Sequence, residues 1–257
     1  MGPEVSVTIT PRGRLLPVGL LLLALAGPTS SLASAQPPPQ LRPPPGPGGS
    51  SALRVPPAPK KVGENLVRLG SILIDTKNNE VTVSGRVLPD RILEFIASTK
   101  MGAKSYESAI ELNTDAVTFN LAMIMIGLDR SRAVVPQMHF GPTVAGDPVD
   151  IWVEWGTGKA GRKVRIEEML YDERAQKVPE MGAWVYTGST MYPSGDFAAE
   201  VDGVLIGFVH DPASIIENTV GSGINAYGTI KLNPALKLQT GTAVKLTVRA
   251  IPKKDPQ

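Results

Sequence analysis

Residues 184–218 read WVYTGSTMYPSGDFAAEVDGVLIGFVHDPASIIEN, and the fold turns on how this stretch is laid out. Asp202-Gly203 is a dipeptide that supplies positive φ at both centres of a type I′ turn, which predicts a β-hairpin closing there. With that loop, Val201 opposes Val204, Ala199 opposes Ile206 and Phe197 opposes Phe208. All six are apolar and share one face, because directly opposed residues lie on the same side of a pair of strands. A one-residue slip mixes polar with apolar on that face, so turn and pattern specify one register.

Outward from this centre, strand patterns continue in both directions. Residues 68–88 predict a first hairpin, with Ile72 and Ile74 answered by Val81 and Val83 across a Lys77-Asn78-Asn79 turn. RILEFIAST and KSYESAIELN predict a second, separated by a short connection containing Gly102. The period then changes: Val117, Leu121, Ile124, Met125 and Leu128 recur at helical spacing behind Asn113 or Thr114 as N-cap. That predicts a helix over about residues 114–127, ended by Gly127. VDIWVEW (149–155) sends Val149, Ile151, Val153 and Trp155 to one side and Asp150, Trp152 and Glu154 to the other. GTGKAG (156–161) lacks G-x-x-x-x-G-K-[ST] and precedes a strand-like segment, so it is a turn and not a phosphate loop. GINAYGTIKL and AVKLTVRAI add two further strands. The expected fold class is α+β: a largely antiparallel, sandwich-like sheet of hairpins with one main helix, a half-open barrel also being compatible with the inventory.

Three materials make up the 257 residues. Arg12 and Arg14, an apolar run from Leu15 to Ala26, and Ala33-Ser34-Ala35 are the parts of a secretory signal peptide, with cleavage expected after Ala35. The apolar run spans only about 18 Å as a helix against roughly 30 Å of hydrocarbon, too short for a transmembrane anchor. Residues 36–60 carry ten prolines between Pro37 and Pro59 and no apolar period, the composition of a semi-rigid, disordered linker. Residues 61–257 are one domain's worth of chain. Residues 1–35 hold two Arg and one Glu, so 24 of the 26 basic and 23 of the 24 acidic residues remain, near neutrality. That balance gives no electrostatic case for nucleic acid or an anionic membrane as partner. The absence of cysteine excludes disulfides, thiolate catalysis and iron–sulfur ligation.

Glu94 and Glu107 are the sharpest chemical candidates. They lie in the two arms of the proposed second hairpin, directly opposed if the turn centres on Lys100-Met101. Like charges at that spacing call for a shared proton, a cation or a lysine such as Lys104. The bland reading is two solvated glutamates. His210-Asp211-Pro212 is the second candidate: a histidine and acid that could serve as general base beside Ser189 or Ser194, or an Asp211 cap on a short helix in PASIIEN. No G-x-S-x-G elbow supports a triad. His139 is the only other histidine, and no metal-ligand spacing is present, so neither metal nor cofactor is expected. Trp152, on the polar side of its strand, is a candidate platform for a sugar face, while Trp155 belongs with the core.

The order of short motifs resembles the YdjY-domain family of exported or envelope-associated bacterial proteins. It runs from Leu69-Gly70 through Leu93-Glu94-Phe95, Lys104–Ser108, Ile126-Gly127, Gly146–Val149, Val153–Trp155 and Trp184–Ser189 to Phe197–Asn218, about residues 66–218. The resemblance implies a domain of undetermined molecular function, found in some relatives beside iron–sulfur modules that a chain without cysteine cannot supply. Similar sequences often have histidine where Tyr106 stands. The expectation is an exported or periplasmic domain that binds an envelope protein, a polysaccharide or a small ligand. The competing expectation is a hydrolase or metal-assisted enzyme built on Glu94, Glu107, His210 and Asp211.

Overall fold

The computed structural model describes residues 54–136, 144–182, 184–219 and 228–252. The proposed signal peptide and residues 36–53 of the proline-rich linker lie outside the described residues, as does His139. In chain order the elements are β1 (Lys60–Lys61), β2 (Leu66–Leu69), β3 (Ile72–Asp75), β4 (Glu80–Val87), β5 (Phe95–Thr99), β6 (Ser108–Leu112) and α1 (Ala116–Met125). There follow β7 (Asp147–Trp155), β8 (Arg162–Arg165), β9 (Leu170–Asp172), β10 (Trp184–Tyr186) and α2 (Ala198–Asp202). The last are β11 (Val204–Gly207), β12 (Ile216–Asn218), β13 (Ile230–Leu232) and β14 (Ala243–Ala250).

Eight of these strands form a closed ring in the order β4, β14, β7, β10, β12, β11, β5, β6 and back to β4. The architecture is therefore a mostly-β barrel with one main helix, which corrects the expected sandwich-like α+β sheet of hairpins. Closure runs through β4. One edge pairs with β14 from Ala243↔Arg86 to Arg249↔Glu80. The other edge is shared, its first half with β3 (Ile74↔Val81) and its second with β6 (Gly85↔Leu112).

The ring is mixed. β5 and β6 are parallel (Phe95↔Ser108), as are β11 and β12 (Ile206↔Ile216). Each parallel pair is joined by eight residues, 100–107 and 208–215, shorter than the dozen or more that a helical crossover takes. These short connections lie over their own strands, and every residue of β5, β6, β10, β11 and β12 is buried. An alternating pattern cannot survive on a strand covered on both faces. The segment 93–112 therefore reads as a hairpin in sequence but folds as a parallel pair.

The central hairpin does not form. Ala198–Asp202 is a single helical turn, Gly203 caps it at φ +70°, and Asp202 keeps negative φ. A glycine at positive φ serves a helix C′ position as well as a type I′ turn, and Ala-Ala-Glu is a better helix than strand sequence. Phe197 and Phe208 consequently do not pair; Phe197 bridges Met191 instead. PASIIEN is not a helix either, since Ile216–Asn218 is β12.

Strands with one wet face follow the pattern read from sequence. β7 buries Val149, Ile151 and Val153, and β14 buries Val244, Leu246 and Val248. α1 begins behind Asp115 rather than Asn113 or Thr114, its carboxylate accepting from Thr118 N at 2.8 Å. Its buried residues are Ala116, Thr118, Phe119, Ala122 and Met123, and Ile124 is exposed, so the stripe is rotated from the predicted one. A helix this uniformly apolar gives periodicity little to choose between. α1 packs against β3, β11 and α2, near the end of the barrel where β5 and β6 finish.

Candidate functional site

At the barrel end where β5 and β6 begin, the sequence candidates come together. The parallel register carries Glu94 beside Glu107, with Glu94 N donating to Glu107 O at 3.0 Å. Phe208 N and Val209 N both donate to Glu94 O at 2.9 Å, which brings His210 and Asp211 alongside. The Glu107 carboxylate meets Lys104 Nζ at 2.8 Å, and that ammonium lies 5.7 Å from the Phe95 ring centre. Burial opposes the Lys104 charge, but the hydrogen bond and charge of Glu107, with Tyr106 and Asp211 adding, hold it above the ordinary lysine range. Tyr106 is pushed up by burial and by the charges of Glu107 and Glu94.

Each of these groups has a structural partner. His210 Nε2 lies 3.0 Å from Asn218 O, and burial lowers its pKa against the opposing effect of that bond. Asp211 Oδ1 accepts from Ala213 N at 2.8 Å, capping a turn rather than the expected helix. Neither serine of the supposed triad bonds to His210: Ser189 Oγ accepts from Ala199 N at 3.2 Å, and Ser194 bonds to Asp196 at 2.8 Å.

Glu217 was not singled out by sequence reasoning. It is fully buried on β12, facing away from the barrel core under the 208–215 connection, and accepts from Asp211 N at 3.2 Å. Burial raises its pKa well above the ordinary value, aided by the Asp211 charge, while bonds from Ser214 and the backbone pull the other way. Its signal was hidden because a glutamate in a PASIIEN helix would face solvent.

Trp152 projects from the outer face of β7 among cations. The Arg165 guanidinium from β8 lies 5.0 Å from the ring centre and that of Arg249 from β14 lies 4.8 Å away. One guanidinium thus reaches the indole from each neighbouring strand, so the ring belongs to a charged surface network with Asp150 and Glu80.

An open cleft is found at the other end. A cleft of about 770 Å³ lies between Thr99–Ala103, Asn113–Thr118 and Glu200. Glu200 Oε2 accepts from Ala116 N at 2.8 Å and Val117 N at 3.4 Å, so it and the Asp115 cap both sit on the positive end of α1. Arg54 reaches in from the linker side: its Nε is 3.4 Å from Glu200 Oε1 and its Nη1 3.8 Å from Asp115 Oδ2. Met101, held at φ +57° with its N–H on Glu111, is 83% exposed at the rim. The connection abuts the end of α2 closely: a Cβ on Gly102 would stand 2.7 Å from Gly203 O. Sequence reasoning missed this cleft, whose acids come from a helix cap and from α2, read as a hairpin arm.

Among the described residues, no three His, Asp or Glu side chains converge as a metal-binding group. No helix among them is long and apolar enough to cross a membrane. The family model for the YdjY domain matches residues 72–249. No curated protein and no solved structure matches the chain.

Proposed function

We propose, from the premise that this chain belongs to the YdjY domain family, that it is an exported, envelope-associated barrel that binds a ligand without transforming it. The signal-peptide pattern ending at Ala35 and the proline-rich residues 36–60 support export and a tether. One observation carries the binding reading: this cleft and the acid–base candidates occupy opposite ends of the barrel. The cleft is lined by hydroxyls, a helix N-terminus and two acids, a set suited to hold a polar ligand. Glu107, His210 and Asp211 are committed to Lys104, Asn218 and Ala213.

The test is thermal melting of the full chain against panels of peptides, oligosaccharides and small ions, because a ligand that binds only the native state raises the midpoint. A shift that disappears in Met101→Glu, a change at an exposed rim position, supports the cleft. Shifts that are absent throughout, or identical in the variant, defeat it.

The gathering of Glu94, Lys104, Glu107, His210 and Asp211 beside the buried Glu217 favours a second reading, a hydrolase or metal-assisted enzyme. Turnover of ester, glycoside or phosphoester substrates, with or without divalent cations, that is lost in Glu107→Gln would replace the binding reading.

A further inference from the structure

A segment of the chain itself lines the cleft. Arg54 stands between Asp115 and Glu200 at 3.8 and 3.4 Å. Three residues on, Pro57 lines the same cleft against Gly70, where an added Cβ would meet Pro57 Cγ at 3.1 Å. Gly70, at φ +59°, gives the proline ring its floor. Residues 53–57 read Leu-Arg-Val-Pro-Pro, and residues 41–45 read Leu-Arg-Pro-Pro-Pro, so Leu-Arg-x-Pro-Pro occurs twice in the linker. We propose that the cleft is a receptor for an arginine-bearing, proline-rich peptide and that Arg54–Pro57 is its resident, displaceable occupant. This rests on the binding reading above.

The charges and the chain conformation agree with that occupant. Without Arg54 the acids Asp115 and Glu200 face Lys100 alone among the cations that line the cleft, leaving an excess of negative charge for an incoming guanidinium. Two carboxylates a guanidinium can bridge select arginine over a point-like ammonium. A following Pro-Pro is already extended, so it loses little conformational freedom on docking. The resident is loosely held: the Arg54 side chain is 60% exposed and both contacts are longer than an optimal ion pair. Exposed pairs of this kind contribute little, which puts them within reach of a competing segment.

The experiment measures binding of a fluorescent peptide, Ser51–Pro59 of this chain, to two full-length proteins, wild type and Arg42→Ala/Arg54→Ala. The double substitution removes both arginines of residues 36–59 and alters no barrel strand. Removing the resident guanidinium is expected to tighten peptide binding by about threefold. The same peptide carrying Arg54→Gln is expected to bind the double variant about threefold more weakly, a comparison independent of any change in the protein. Equal affinity of the two proteins, or of the two peptides, overturns the inference. If the peptide fails while another ligand still shifts the melting midpoint, the guanidinium reading falls and the cleft survives. If nothing binds, both fall.

Discussion

Glu111 and Glu217 occupy the same place in the two halves of the barrel and live by different rules. Each lies on the second strand of a parallel pair, facing away from the core beneath an eight-residue connection. Each accepts a backbone N–H from that connection, Glu111 from Met101 at 3.0 Å and Glu217 from Asp211 at 3.2 Å. The connection is too short for a helix, so its inward amides find a carboxylate instead, as buried donors must find some acceptor. Glu111 is also paired with Arg86, Nη2 at 3.0 Å, at the barrel surface. Glu217 is fully buried, and among the described residues no cation pairs with it. One carboxyl has a cation beside it, while the other is buried without one and its pKa is pushed up. The backbone geometry needs an acceptor, and the surroundings differ around it.

The glycines beside the two carboxyls sharpen this comparison most. A Cβ on Gly85 would come 2.4 Å from the backbone oxygen of Glu111, whereas one on Gly207 would come 2.5 Å from Glu217 Oε1 and Ser214 Oγ. Backbone cannot yield as side chains can. Gly85→Ala is therefore expected to cost about 3 kcal/mol or more in urea unfolding, and Gly207→Ala about 1–3 kcal/mol. An equal or reversed order would show that the Glu217 pocket is the more rigid of the two.

The next largest effect concerns the proton on Glu217. Its folded pKa lies above the unfolded value, so the native state holds the proton longer. The stability tied to the neutral carboxyl is fully present below the ordinary carboxylate range and is lost as pH rises through the folded pKa. The slope reaches at most about 1.4 kcal/mol per pH unit. Glu217→Gln removes that slope while keeping an acceptor for Asp211 N, so it gains on wild type as pH rises. Parallel curves of unfolding free energy against pH for the two proteins would break the distinction. The smallest effect belongs to Glu111→Gln. Because the Arg86 side chain is 59% exposed, the loss should stay below about 1 kcal/mol and shrink further in about 1 M salt.

What could be read from sequence was the part of the barrel that faces water. β3, β4, β7 and β14 alternate because one face is wet, and the Ile74–Val81 pairing was legible in the letters. β5, β6, β11 and β12 are buried on both faces, so their direction and partners left no pattern. The Glu94–Glu107 adjacency shows how this misleads. An antiparallel turn at Lys100-Met101 and the observed parallel register both set Glu94 beside Glu107, so the neighbours came out correctly on the wrong topology. Asp202-Gly203 failed differently: one glycine with positive φ serves a helix end and a hairpin alike, and only the environment chooses. Arg54 was assigned to a spacer because its acids, a helix cap and an α2 side chain, are 61 and 146 residues away.

The place of β14 in the ring has a bearing on biogenesis. Ala243–Ala250 is inserted between β4 and β7, strands that precede it by more than 80 residues, and among the described residues no other strand links them there. A growing polypeptide that stops short of this segment is an open sheet with two bare edges. Completion of the cylinder thus waits until residues 243–250 have been made.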